Sequence, residues 1–131
     1  MKIVFDSNIY ISAFVLPGSQ AERAITKVIE DNAQLIISKD IVSEILRILS
    51  TKFNRDKEAL SRTALYLSDI ARTVKPARKI KILKDDPDNR ILECAVTGRA
   101  GIIVTGDKNI LKLKIYEEVK IVSLKEFLER Y

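Results

Sequence analysis

The residues best suited to chemistry in this sequence are acidic side chains, and we single out four of them: Asp6, Glu44, Asp88 and Asp107. Asp6 directly follows an apolar run, residues 3–5, and Asp107 follows another, residues 101–105, after one glycine. Continuous apolar runs are typical of strands buried on both faces of a parallel sheet, whose carboxyl ends border the crevice where ligands bind. Both aspartates are therefore candidate site residues, and capping of a following helix is the alternative for each.

Helical wheels, drawn at about 100° per residue, place the other two acids. Glu44 lies at the edge of the apolar arc of its helix, where a solvated side chain is the alternative to a functional one. Asp88 lies in the middle of the apolar stripe that Ile91 and Leu92 help to form. An unpartnered carboxylate pointing inward there would cost several kcal/mol, roughly, and a metal ion is a suitable partner for it.

We interpret the two aspartates that shortly precede Asp88 as structural residues rather than site residues. Asp86 stands before Pro87 as an N-cap stands before a proline at the first helical position, so we predict that Asp86 caps this helix. Asp85 is interpreted as a solvated loop residue.

Composition restricts the chemistry that these acids could perform. The chain has 131 residues, 47% of them apolar, which predicts one domain, residues 1–131. It contains no histidine and one cysteine, Cys94, so the commonest general base and the usual zinc ligands are missing. Carboxylates alone are hard oxygen ligands that suit Mg²⁺ or Mn²⁺. The net charge of +5 suits a polyanionic partner.

Strands alternating with helices would position the acids. The predicted strands are residues 3–5, 34–37, 101–105 and 119–122, with a short edge strand near Ile80 and Ile82 in a Lys/Arg-rich loop, residues 73–84. The predicted helices are residues 8–14, 19–31, 38–50, 56–71, 86–99, 108–114 and 123–131, the third capped by Ser38 or Asp40. This alternation predicts an α/β fold, a three-layer α/β/α sandwich with a mostly parallel central sheet. No glycine-rich phosphate loop is present.

Four segments together resemble the PIN-domain nucleases, specifically the small prokaryotic type that includes VapC-like toxins. They are Phe5-Asp6-Ser7-Asn8, residues 38–45 with Glu44, residues 85–92 with Asp88, and residues 104–111 with Asp107. The resemblance covers nearly the whole chain, and every acidic position of the family pattern is filled.

The resemblance implies a function. The four matching acids would form a Mg²⁺ or Mn²⁺ site that activates water to cleave RNA phosphodiester bonds, and Ser7, Asn8 and Thr105 would be polar supports. It also implies RNA, most often single-stranded, as substrate, a small antitoxin protein as a partner, and a homo-oligomer such as a dimer.

Two alternatives remain open at the level of sequence. One is a PIN-fold module that binds RNA or protein without cleaving. The other is a haloacid dehalogenase-type Mg²⁺ phosphatase, which would need a second aspartate where this chain has Asn8. No apolar run is long enough to span a membrane and no signal peptide is recognisable, so we expect a cytoplasmic protein with no membrane association.

Overall fold

The computed structural model describes all of residues 1–131, which form six strands and seven helices. The strands are β1 (Lys2–Phe5), β2 (Gln34–Ser38), β3 (Ala71–Val74), β4 (Ile102–Val104), β5 (Ile115–Tyr116) and β6 (Val119–Val122). The helices are α1 (Ser7–Val15), α2 (Gln20–Glu30), α3 (Lys39–Phe53), α4 (Lys57–Ile70), α5 (Asp86–Thr97), α6 (Lys108–Leu111) and α7 (Leu124–Arg130).

All six strands belong to one sheet, in the order β3-β2-β1-β4-β6-β5. Every neighbouring pair is parallel except β5 with β6. β1 lies between β2 and β4, and its apolar residues Ile3, Val4 and Phe5 are at most 2% exposed. The predicted mostly parallel sheet is therefore confirmed, with the strand that ends at Asp6 in its interior.

Helices cover both faces of this sheet. The ring of Phe5 packs against Tyr10 of α1 and Phe127 of α7, with centroid separations of 5.8 and 5.7 Å. Ile36 is the β2 partner of Val4, and side chains alternate along strands, so Ile36 points to the opposite face from Phe5. There Gly98, at the end of α5, lies so close that a Cβ would come within 2.5 Å of the Ile36 side chain. The three-layer α/β/α sandwich is confirmed.

Serine side chains cap three of these helices: α2, α3 and α7. Ser38 Oγ accepts a hydrogen bond from the Ile41 amide at 3.3 Å, so Ser38 rather than Asp40 caps α3. Ser19 Oγ accepts from the Glu22 amide at 3.2 Å, and the Glu22 carboxylate accepts from the Gly18 amide at 3.1 Å. The first bond is half of the capping box that the Ser19 and Glu22 spacing favours, but Glu22 binds the amide of Gly18 rather than that of Ser19, the N-cap residue.

The predictions for the two edges of the sheet are wrong. No strand forms near Ile80 and Ile82. The edge strand is β3, which starts directly after α4 and pairs Ala71 with Leu35. Ala71 fits the apolar face of α4 as well as a strand, and only pairing with β2 decides between them. At the other edge, the helix predicted to reach Lys114 ends at Leu111, and β5 follows it. A two-residue strand is too short to show a sequence pattern.

Residues 75–85, which we call the strap, connect β3 to α5 and are held against α5 by its side chains. The Ile80 amide donates to Glu93 Oε2 at 2.9 Å. The Leu83 amide donates to Asn89 Oδ1 at 2.9 Å, and Asn89 Nδ2 donates back to the Leu83 carbonyl at 2.9 Å. Asn89 and Glu93 are only 1% and 3% exposed, so these bonds satisfy buried polar groups.

None of the helices is both long and apolar enough to cross a membrane.

Candidate active site

Asp6 lies at the carboxyl end of β1, beside the end of β4. Its amide donates to the Val104 carbonyl at 3.0 Å, which extends the pairing of the two strands by one residue. Its carboxylate accepts from Thr105 Oγ1 at 2.6 Å through Oδ2 and from the Asn8 amide at 3.2 Å through Oδ1. Asp6 is 6% exposed. It therefore both caps α1 and lies at the point where the two central strands end.

Thr105 connects Asp6 to Asp107. Its hydroxyl donates to Asp6 and accepts from the Asp107 amide at 3.0 Å. Asp107 caps α6, because its Oδ1 accepts from the amides of Asn109 at 2.8 Å and Ile110 at 3.1 Å. Both capping bonds fall on the same oxygen, and Oδ2 makes no hydrogen bond within the protein. Asp107 can therefore cap α6 and still offer its second oxygen to a ligand.

Glu44 reaches the same region from α3, which follows the neighbouring strand β2. Ser7 Oγ donates to Glu44 Oε2 at 2.8 Å, and Ser7 is 2% exposed. Ser7 is the residue after Asp6, so this bond ties the α3 acid to the start of α1. Asn8 is different: its side chain is exposed and makes no hydrogen bond, and only its amide contacts an acid.

Asp88 is the acid whose surroundings fit a cation best. It is 8% exposed, and its Oδ2 is buried without a hydrogen-bond partner. Burial first, and then the negative charges of nearby acids, raise the pKa of Asp88 from 3.8 to about 7. In decreasing order of effect these acids are Asp107, Asp85, Asp6 and Glu44. The structure thus brings the four sequence-predicted acids within electrostatic reach of one another.

Asp6 shows the same crowding of negative charge. Burial raises its pKa, and the charges of Glu44 and Asp107 add to that shift, although the hydrogen bonds from Thr105 and Asn8 oppose it. No three acidic side chains have the spacing of a ready-formed metal cluster. The donor set consists of carboxylate oxygens, and it includes one buried oxygen with no partner, so it fits a hard divalent ion such as Mg²⁺ or Mn²⁺.

The prediction that Asp86 caps α5 is wrong. Asp85 occupies the N-cap position, its side chain makes no capping bond, and Asp86 is the first helical residue. The Asp86 carboxylate is 74% exposed and makes only 3.4 Å contacts with Asn89 and Arg90. All first-turn amides lack a partner within the helix, so a proline is tolerated at the second position as well as the first.

Two further buried polar residues of α5, Asn89 and Glu93, are not among the sequence-predicted site residues. They are four residues apart and share one side of the helix, next to the apolar stripe that contains Asp88. That spacing is the one signal that could have identified them. Arg90 lies between them, 3.1 Å from Glu93, and its side chain is 18% exposed.

Comparisons with known proteins identify the family of the chain. A sequence family described as a PIN domain matches residues 2–109, a stretch that includes all four acids. An uncharacterized protein of Methanocaldococcus jannaschii is 24% identical over 143 aligned positions, which cover 100% of this chain and 92% of that protein.

Two solved structures have a similar fold. VapBC2 from Rickettsia felis, crystallised with a DNA fragment from its promoter, matches with a TM-score of 0.68 and 16% identity over 94% of this chain and 98% of that one. VapBC-1 from nontypeable Haemophilus influenzae matches with a TM-score of 0.68 and 14% identity over 95% and 99%. At sequence identities this low, the similarity shows a shared fold only.

Proposed function

The chain belongs to the PIN-domain family, and from that premise we propose that it is a metal-dependent endoribonuclease that cleaves RNA phosphodiester bonds. This membership bears out the resemblance found in the sequence, and it leaves no support for the haloacid dehalogenase alternative. The fold shared with the two VapBC structures supports a VapC-like type within that family.

The observation that carries the proposal is the buried, unpartnered Oδ2 of Asp88 among three other acids. An unsatisfied buried acceptor costs about 1–3 kcal/mol, a cost that a ligand from outside the chain would offset. Like charges in one crevice also destabilise the fold unless a cation or a proton lies between them. A divalent cation relieves both costs.

We assign the residues as follows. Asp6 and Asp88 are the direct ligands, and Glu44 and Asp107 complete the site directly or through water. Ser7 and Thr105 orient Glu44 and Asp6 through the hydrogen bonds described above. A bound Mg²⁺ or Mn²⁺ supplies positive charge to the phosphate and acidifies water. The chain's own part is to hold four carboxylates at the end of a rigid sheet.

A cleavage assay tests this proposal. Purified protein should cut a labelled single-stranded RNA in Mn²⁺ or Mg²⁺ and stop in EDTA, and Asp88→Asn should be inactive under both conditions. Asp86→Ala, prepared identically, is the matched control because Asp86 is exposed. Activity of the Asp88→Asn preparation equal to the wild type would identify a contaminating nuclease, and full wild-type activity in EDTA would exclude the metal mechanism.

A small antitoxin is the protein partner that the VapC-like resemblance supports, together with a homo-oligomer. A groove of about 440 Å³ between α1, α2, α3 and α4 combines apolar residues with the charged Glu22, Arg55 and Arg62, a mixture that suits an amphipathic segment. Phe14 and Tyr66 stack edge to face at 5.8 Å in its wall, and Tyr66 is 41% exposed. Co-expression with the product of an adjacent small reading frame should yield a stable complex, and Tyr66→Ala should weaken it.

The remaining alternative is a PIN-fold module that binds without cleaving. It is favoured only by the lack of a ready-formed three-acid cluster. RNA binding without cleavage in any divalent ion would support it. A rise in melting temperature on addition of Mn²⁺ to wild type, absent in Asp88→Asn, would support the metal site independently of activity.

A further inference from the structure

The strap without its last residue, Asp85, carries the whole positive excess of the protein. Residues 75–84 contain five basic residues and no acidic one: Lys75, Arg78, Lys79, Lys81 and Lys84. The chain has 23 basic and 18 acidic residues, so without these five the remainder would have 18 of each. The net charge of +5 is therefore a local property of one ten-residue stretch, whereas the rest of the chain is electrically balanced.

Buried residues of the strap turn its lysines toward solvent. Ile80 is 3% exposed and belongs to the core, so the flanking Lys79 and Lys81 are directed outward and are exposed. Lys84 is exposed next to the half-buried Leu83. Arg78 is paired with Glu117, but none of the four strap lysines forms an ion pair. Their charges are therefore available to an external anion.

The strap is attached to the rest of the protein at three points, two of which hold its backbone. Arg78 pairs with Glu117 in the turn between β5 and β6, the Ile80 amide binds Glu93, and Leu83 exchanges two hydrogen bonds with Asn89. Asn89 is the residue after Asp88, so the last fixed point lies beside the acidic site. The strap thus presents exposed lysines on a segment that is attached to α5 one residue from Asp88.

We propose that the strap binds the sugar-phosphate backbone of single-stranded RNA, with Lys79, Lys81 and Lys84 contacting its phosphates beside the acidic site. The inference rests on the proposed function and specifies where its substrate is held. The acidic site by itself repels a phosphate, so a polyanion needs compensating cations nearby. Lysines serve as point-charge contacts to phosphates that do not depend on base sequence.

The test is RNA binding, measured in EDTA so that no cleavage is required. A fluorescein-labelled single-stranded RNA is titrated with wild type, with Lys79→Gln/Lys81→Gln/Lys84→Gln, and with the control Lys52→Gln/Lys57→Gln/Lys125→Gln. The control changes the net charge equally at exposed positions that make no ion pair. Circular dichroism and melting temperature should be the same for all three proteins.

The strap variant should bind RNA roughly tenfold or more weakly than the control at low salt. Each phosphate contact on single strands contributes about 0.7 to the slope of log affinity against log salt, so losing three should reduce the slope by about 2. The control should retain the wild-type slope.

Equal losses in the two triple variants would overturn the proposal, because binding would then depend on net charge alone. Wild-type binding to anionic phospholipid vesicles but not to RNA would overturn it in favour of a membrane surface. Binding through the strap without cleavage in Mn²⁺ would refute the nuclease and leave the strap proposal intact. Cleavage by the wild type, together with unchanged RNA binding by the strap variant, would refute the strap proposal and leave the nuclease intact.

Discussion

At the scale of single residues, capping a helix and serving a site turn out to be compatible roles for an aspartate. Asp107 uses one oxygen for both capping bonds and leaves the other without a protein partner. Asp6 accepts a capping bond on one oxygen and a threonine hydroxyl on the other. Asp88 makes no side-chain capping bond, and its burial requires another explanation.

The first prediction compares Asp88 with Asp86. Asp88→Asn should keep or raise the melting temperature without metal, because it removes one negative charge from a crowded site at nearly constant shape. It should also abolish the stabilisation by Mn²⁺. Asp86→Ala should change the free energy of unfolding by about 0.5 kcal/mol or less, since Asp86 is exposed and its contacts are long.

Thermal unfolding of both variants with and without Mn²⁺ measures these effects. The assignment fails if Asp86→Ala loses the metal-induced shift while Asp88→Asn keeps it. In that case Asp86 would be the ligand.

At the scale of elements, α5 both presents Asp88 and anchors the strap. The side-chain amide of Asn89 binds Leu83 as a neighbouring strand would, because its oxygen accepts from the Leu83 amide and its nitrogen donates to the Leu83 carbonyl. Glu93 does the same for one amide, that of Ile80. One helix therefore fixes the acid on one side and the basic segment on the adjacent side.

The second prediction is that Asn89→Ala destabilises the protein by about 2 kcal/mol, because it leaves the Leu83 amide and carbonyl without partners. Hydrogen exchange at residues 79–84 should accelerate, since the strap loses one of its fixed points. Asn8→Ala is the control for stability because the Asn8 side chain makes no hydrogen bond and is exposed. Equal melting temperatures for the two variants would show that the Asn89 bonds contribute nothing.

The third prediction concerns the turn between β5 and β6. Glu117 and Glu118 have φ angles of 46° and 74°, the left-handed conformation that two-residue hairpins need and that glycine adopts without strain. Glu118→Gly should therefore raise stability by about 1 kcal/mol. Glu118 is the better test position because Glu117 pairs with Arg78. A lower melting temperature would mean that the Glu118 side chain makes a stabilising contact.

At the scale of the whole molecule, the charges are segregated. A group of acids occupies the carboxyl end of the sheet, and the net positive excess lies on the strap beside it. The acidic group makes the metal-free protein sensitive to pH.

The fourth prediction gives the sign of that sensitivity. The pKa of Asp88 is raised to about 7 in the folded protein, so between about pH 4 and 7 the folded state retains a proton that the unfolded state has lost. Stability without metal should therefore fall as pH rises through this range and level off above it. The raised pKa of Asp6 acts in the same direction.

Melting temperatures in EDTA at pH 5 and pH 8 check this expectation. The wild type should melt at a lower temperature at pH 8, and Asp88→Asn should show a smaller difference. An identical pH dependence in the two proteins would exclude Asp88 as the titrating group.

Local sequence patterns were sufficient to predict the central strands and the inward direction of Asp88. Runs such as Ile3-Val4-Phe5 are too apolar to lie anywhere but the interior, and the periodic apolar stripe of α5 places Asp88 inward before any fold is known. These features depend on local patterns whose period matches a strand or a helix.

Contacts between segments that are distant in the sequence could not be predicted in this way, because they depend on the folded chain. β3 forms at Ala71 because β2 offers it a partner, and Asn89 and Glu93 are buried because the strap lies over them. The hydrogen bond from Ser7 to Glu44 and the effect of Asp107 on the pKa of Asp88 likewise join residues far apart in the chain. Such contacts leave no local period, since their free energy arises only when the sheet has brought the segments together.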